Sequence, residues 1–106
     1  MTEIDDERAR ALWEFAEAVR IKLSTRKNVA KSDWREMDVQ SLRELMSIEA
    51  VELSGAMERL GIIERMEVGD RRTGLMIEGM EGVADECLDI AAFAFFIWDV
   101  IRRSEV

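Results

Sequence analysis

Apolar residues recur at three- and four-residue steps along most of the chain, which is the spacing of amphipathic α-helices. In the first segment this pattern predicts a helix from about Asp5 to Ser24. The acidic residues at its start suit the positive end of a helix dipole. The apolar positions of this first helix are Leu12, Phe15, Ala16, Val19 and Leu23.

A second helix is predicted to begin near Asp38 or Ser41 and to end at Gly61. Ser41 and Glu44 have the spacing of a capping box, in which each side chain bonds the other's backbone N–H. Glycine after the last apolar position is a favourable helix stop. The apolar stripe of this helix consists of Leu42, Leu45, Met46, Leu53, Ala56, Met57 and Leu60.

A third helix is predicted from about Glu81 to Arg103, and its middle is apolar on nearly every side. Glycines interrupt residues 62–80, so this segment is predicted to form a turn with short strands or an extended flap. The polar stretch over residues 24–38 is predicted to be a loop that can include a helical turn.

These elements predict an all-α fold, a bundle of three long helices plus short elements. The length of 106 residues fits a single domain over residues 1–106. Two partners from the same chain cannot cover so apolar a third helix. We therefore expect a homodimer or homotetramer whose subunits complete the core together.

Composition narrows the possible functions. The formal net charge of −8 argues against a general nucleic-acid-binding surface, which needs clustered Lys and Arg. The apolar run from Cys87 to Ile101 is short for a membrane span and is interrupted by two aspartates. The acidic N-terminus does not resemble a signal peptide, so we expect a cytoplasmic protein without a membrane or nucleic-acid partner.

The absence of histidine and the single cysteine limit the catalytic and metal-binding chemistry that the chain can support. The absence of histidine removes Ser-His and Cys-His nucleophilic machinery and most zinc sites. Cys87 is the only cysteine, so no intrachain disulfide can form, and it is interpreted as a small core residue. Acid–base or metal chemistry must then depend on carboxylates, lysines, water and a hard cation.

Two pairs of acids stand inside apolar stripes. Glu49 and Glu52 lie in "IEAVEL", and Glu86 and Asp89 precede the most apolar run of the chain. Residues three apart share a helix face. A carboxylate in apolar surroundings needs a proton, a basic partner or a shared cation, and Mg²⁺ suits a cluster of oxygens. A solvated helix face is the alternative.

The order Glu49-x-x-Glu52 followed by Glu86-x-x-Asp89 resembles the signature of the MazG-like, all-α nucleoside triphosphate pyrophosphohydrolases. That family includes all-α dUTPases and dCTPases. "KSDW" at residues 31–34 resembles the segment before the first acidic helix in some members. The similarity covers roughly residues 31–60 and 82–101.

The resemblance implies a MazG-like four-helix bundle that binds Mg²⁺, or Mn²⁺, through these four acids. It implies hydrolysis between the α- and β-phosphates of a nucleoside triphosphate, giving a monophosphate and pyrophosphate, as house-cleaning of non-standard or surplus nucleotides. Glu49 and Glu52 are the candidate catalytic residues, with Glu52 accepting the proton of the attacking water. Two positions depart from the family: Ile48 replaces the first Glu of its EExxE motif, and Ala92 replaces a frequent Asn.

Other side chains have a functional and a structural interpretation. Trp34 can stack on a nucleobase or serve as a core or interface aromatic. Lys31 and Arg35 can contact phosphates or belong to a solvated loop, and Phe93 can line the pocket or belong to the core.

Arg71 and Arg72 can close over a triphosphate or carry surface charge. Two rival functions remain open at this stage. One is a non-catalytic nucleotide or metal sensor, and the other is a purely structural helical interaction module.

Overall fold

The computed structural model describes residues 3–25 and 36–104. Within these residues it contains three helices and no strand: α1 (Glu3–Thr25), α2 (Val39–Glu64) and α3 (Asp70–Ser104). The predicted all-α class is confirmed, and the predicted bounds of the first helix are correct to within two residues. No helix in the described ranges combines the length and apolar character that crossing a membrane requires.

Helix α2 begins at the earlier of its two predicted positions. Asp38 is the N-cap residue, with extended backbone angles, and its carboxylate accepts a hydrogen bond from the Ser41 backbone N–H at 2.7 Å. This bond holds the pKa of Asp38 below its ordinary value. The predicted capping box is therefore wrong, because Ser41 already lies inside the first turn and Glu44 accepts a bond from Gln40 instead.

The region 62–80 differs most from the prediction. It contains the end of α2, a turn over residues 65–69 and the first part of α3, so the strands and the flap are wrong and the third helix begins at Asp70. Gly61, predicted as the stop of the second helix, lies within α2.

Close packing against α2 accompanies the helical conformation of Gly79. A Cβ added to Gly79 would lie 2.9 Å from Leu60 Cδ1 and 3.6 Å from Ile63 Cδ1, so α2 and α3 approach closely at this point. Glycine costs a helix interior only about 1 kcal/mol relative to alanine. Burial of Leu60 and Ile63 against α3 offsets that cost, and both helices continue to the turn.

The turn joins α2 and α3 into an antiparallel hairpin. Helix α2 closes with a short-range bond, in which the Arg65 N–H donates to the Ile62 carbonyl at 3.2 Å. Arg72 then reaches back from the first turn of α3 and donates to the carbonyl of Glu64 at 3.2 Å. These bonds satisfy carbonyls that a helix end would otherwise leave without partners.

The centre of the core lies between the start of α2 and the last third of α3. Leu42, Phe93 and Phe96 are buried together, and the two rings meet edge to face with centroids 5.8 Å apart. Helix α1 contributes Leu23 at the border of this cluster. Contact of α1 with α3 is much less extensive than contact of α2 with α3.

Candidate functional site

Three glutamates converge across the seam of the hairpin. Glu49 and Glu52 lie on consecutive turns of α2, and Glu86 lies on the facing turn of α3. Each offers a carboxylate oxygen, and the three oxygens all lie within 4.8 Å of one another. Glu49 and Glu86 are half-buried whereas Glu52 is exposed, so this glutamate triad opens to solvent on one side.

The spacing fits a shared hard cation. Two oxygens bound to one ion at about 2.1–2.4 Å can be at most about 4.2–4.8 Å apart. The oxygens of the triad, all within 4.8 Å of one another, meet the longer of these limits without movement of either helix. Oxygen-only ligands suit Mg²⁺ and related ions, and Mg²⁺ keeps several waters when few carboxylates bind it.

Glu86 lies in an unfavourable electrostatic environment. Its Oε2 atom is buried and has no hydrogen-bond partner in the described part of the chain. Burial raises the pKa of Glu86, the negative charges of Glu52 and Asp89 raise it further, and a hydrogen bond with Glu49 acts in the opposite direction. A proton or a cation would relieve this repulsion.

Asp89 lies one helical turn after Glu86 and is engaged by a lysine from α1. The Lys22 Nζ atom is 3.1 Å from Asp89 Oδ1 and 2.5 Å from Asp85 Oδ1. The Asp89 side chain is 8% exposed and that of Asp85 is 62% exposed. Asp89 is thus near the triad but belongs to an ion pair, and its predicted role as a fourth metal ligand stays a prediction.

Lys22 is a site residue that sequence reasoning missed. Burial lowers the pKa of Lys22, but its hydrogen bonds and ion pairs with Asp85 and Asp89 outweigh burial, and the net pKa is raised. A signal was present in the sequence, because Lys22 follows Phe15 and Val19 at helical spacing and so lies on the apolar face of α1. A cation on that face is the natural partner of an acid in an apolar stripe.

The other residues predicted to bind substrate either pack in the core or lie outside the described part of the chain. Phe93 is 7% exposed and packs in the core with Leu42, which leaves little of its ring for a substrate. Lys31, Trp34 and Arg35 lie outside the described residues.

The arginines of the hairpin turn are remote from the triad along the chain. Glu64, which Arg72 contacts, is twelve positions after Glu52, about 18 Å along a helix axis. Arg72 thus stabilises the turn, and Arg71 is exposed.

An apolar groove separates α1 from α3. Its volume is about 430 Å³. Its lining is almost entirely apolar, which does not suit phosphate groups. The lining residues are Phe15, Ala16, Val19, Arg20, Leu23, Ala91 and Phe95.

Comparisons with known proteins find no relationship. No protein-family model matches the chain, and neither curated proteins nor solved structures show a significant match.

Proposed function

We propose that the chain is a Mg²⁺-dependent nucleoside triphosphate pyrophosphohydrolase of the MazG-like, all-α type. It cleaves between the α- and β-phosphates of a (deoxy)nucleotide and releases a monophosphate and pyrophosphate. The observation that carries this proposal is the glutamate triad, in which the two acidic motifs of the sequence meet across one helical seam.

The burial of the triad supports separate roles for its members. Glu49 and Glu86 are half-buried, so packing fixes their positions and makes them suitable ligands. Glu52 is exposed, which supports a second role for this ligand as the acceptor of a proton from an attacking water. A bound Mg²⁺ supplies positive charge against the triphosphate and lowers the pKa of a coordinated water.

A pyrophosphate-release assay over a panel of ribo- and deoxynucleoside triphosphates tests the proposal. The assay is run with Mg²⁺, with Mn²⁺ and with EDTA, and the nucleotide product is identified to distinguish a monophosphate from a diphosphate. Glu49→Gln is expected to reduce turnover at least about 100-fold, because it removes a charged ligand. Glu58→Gln is the matched control, since Glu58 is an exposed glutamate on the same helix outside the triad.

A nucleotide or metal sensor is a second candidate, and Ala92 favours it. This residue stands where the resembled family often has Asn, and it is fully buried, so it offers no polar group to a sugar or base. Binding without turnover would support the sensor. A melting temperature unchanged by Mg²⁺, Mn²⁺ or nucleotide would instead favour a structural module, because a ligand that binds the native state raises it.

We also propose that the chain self-associates. Large apolar side chains of α1 are open to solvent, since Leu12 and Trp13 are 68% and 67% exposed. Exposed apolar patches of this kind are typical of surfaces that bind another protein chain.

Light scattering coupled to size-exclusion chromatography tests this second proposal. A mass of at least a dimer at micromolar concentration is expected, and a monomer at all accessible concentrations would contradict it.

A further inference from the structure

We propose that Lys22 is a built-in counter-ion that keeps Asp89 out of the metal-ligand set, so that the site takes a single divalent ion through the glutamate triad. This inference rests on the proposed function, because it assumes that the triad binds a cation. It assigns a positioning role to a residue of α1, the helix that contributes no carboxylate to the triad.

The lysine occupies the place that a second cation would take. Asp85 and Asp89 are four residues apart on α3 and therefore share a face. The Lys22 ammonium lies between them, 2.5 Å from Asp85 Oδ1 and 3.1 Å from Asp89 Oδ1. A divalent ion bridging these two carboxylates would have to displace the ammonium group.

Burial makes that displacement costly. The Lys22 side chain is only 17% exposed and Asp89 is more deeply buried still. Exposed ion pairs contribute little, whereas removal of one member of a buried pair leaves an uncompensated charge. The lysine therefore stays in place while the solvent-exposed side of the triad remains accessible to an ion.

The charge balance of the cluster points the same way. Asp89 lies one helical turn after Glu86 on α3, so its charge is close to the triad. Lys22 neutralises Asp89 and limits the negative charge that a cation meets. Without the ammonium, the carboxylates of Asp85 and Asp89 would lose their shared positive partner and would attract a cation more strongly.

Replacement of the lysine by a neutral side chain of similar length tests the inference. Titration of the protein with Mn²⁺, followed by electron paramagnetic resonance of the free ion, counts bound ions independently of catalysis. We expect about one Mn²⁺ per protomer for the wild type and for Lys22→Arg, and about two for Lys22→Met. The number for Lys22→Met should return to about one when Asp89→Asn is added.

The double variant also controls for misfolding. Lys22→Met alone leaves Asp89 buried without its ammonium, so it should melt below the wild type in EDTA and gain more from Mn²⁺ than the wild type gains. Lys22→Met with Asp89→Asn removes both charges and should fold without metal.

The outcomes separate the two proposals. An unchanged number and affinity of Mn²⁺ ions in Lys22→Met would overturn the role of Lys22 and leave the triad intact. Absence of Mn²⁺ binding to the wild type would overturn the metal site of the proposed function. Mn²⁺ binding to Lys22→Met but not to the wild type would overturn the proposed wild-type metal site. It would still support the inference that Lys22 prevents Asp89 from acting as a metal ligand.

Discussion

The hairpin of α2 and α3 and the helix α1 are held in very different ways. The hairpin has a buried seam, in which Phe96 is 1% exposed, and a turn closed by backbone and arginine bonds. Helix α1 meets α3 along a narrower contact with half-buried Val19 and Leu23 and the ion pairs of Lys22. Much of its apolar surface, including Leu12 and Trp13, faces solvent.

The two regions therefore contribute different groups to the candidate site. All three members of the triad belong to the hairpin, so their geometry depends on the seam that is packed best. Helix α1 adds a positive charge beside them and an apolar surface. In the proposed function, the hairpin supplies the ligands for a cation, whereas α1 supplies a positive charge beside them and the exposed apolar surface for self-association.

Truncation of a hairpin core residue should have the largest effect on stability. Phe96→Ala is expected to cost about 3–5 kcal/mol of unfolding free energy, because it removes a fully buried ring and leaves a cavity. Urea denaturation measures the change, and Phe15→Ala on α1 is the comparison, since that ring borders the open groove. Equal losses in the two variants would remove the distinction between the two regions.

Polar substitutions on α1 should act on assembly more than on folding. Leu12→Ser with Trp13→Ser is expected to weaken self-association at least about tenfold, about 1.4 kcal/mol, because a large exposed aromatic residue such as Trp13 is a typical hot spot of such interfaces. Sedimentation over a concentration series measures it. Val68→Ser is the control, because Val68 is an exposed residue of the turn. Unchanged association in the double variant would show that α1 is not the interface.

Neutralisation of Glu86 should stabilise the metal-free protein. The pKa of Glu86 is higher in the folded protein than in the unfolded chain. The stability of the fold therefore decreases as the pH rises from the unfolded-state pKa through the folded-state pKa, because ionisation of Glu86 is less favourable in the folded protein. Glu86→Gln is therefore expected to melt on the order of a few degrees higher than the wild type at neutral pH, with the gain vanishing in acid.

Under the proposed function Mg²⁺ should raise the melting temperature of the wild type but not that of Glu86→Gln, because this variant lacks one carboxylate of the triad. Scanning calorimetry in EDTA and in Mg²⁺ tests both effects, with Glu58→Gln as the control. A gain that persisted undiminished at low pH would contradict the electrostatic explanation.

Glycine substitutions in α3 should give the smallest effects. Gly74→Ala is expected to stabilise the protein by about 0.5–1 kcal/mol, because alanine favours a helix and a Cβ there meets no atom within 4 Å. Gly79→Ala should raise the unfolding free energy by less than Gly74→Ala does, or lower it, since the new Cβ would force Leu60 Cδ1 to move. Thermal melts of both variants measure the difference, and equal gains would argue against a close approach at Gly79.

The helices were predictable from sequence to different degrees. Periodicity located α1 to within two residues, because its pattern has no glycine to interrupt it. The end of α2 and the start of α3 differ from the prediction, because the sequence shows the unfavourable helix propensity of glycine. The sequence does not show the packing of Leu60 and Ile63 over Gly79, which is a contact between positions far apart in the chain. The Asp38 cap was visible, but Ser41 and Glu44 offered a competing motif.

Within each helix, the shared face of acids three residues apart can be read directly from the amino-acid sequence, because helical geometry fixes that relation. The meeting of Glu86 with Glu49 and Glu52 depends on contacts between helices, since the length of the turn and the approach of α2 to α3 set which helical turns face each other. The ion pair of Lys22 with Asp89 depends on such contacts too, because its members are 67 residues apart in the chain and meet only once α1 has docked on α3.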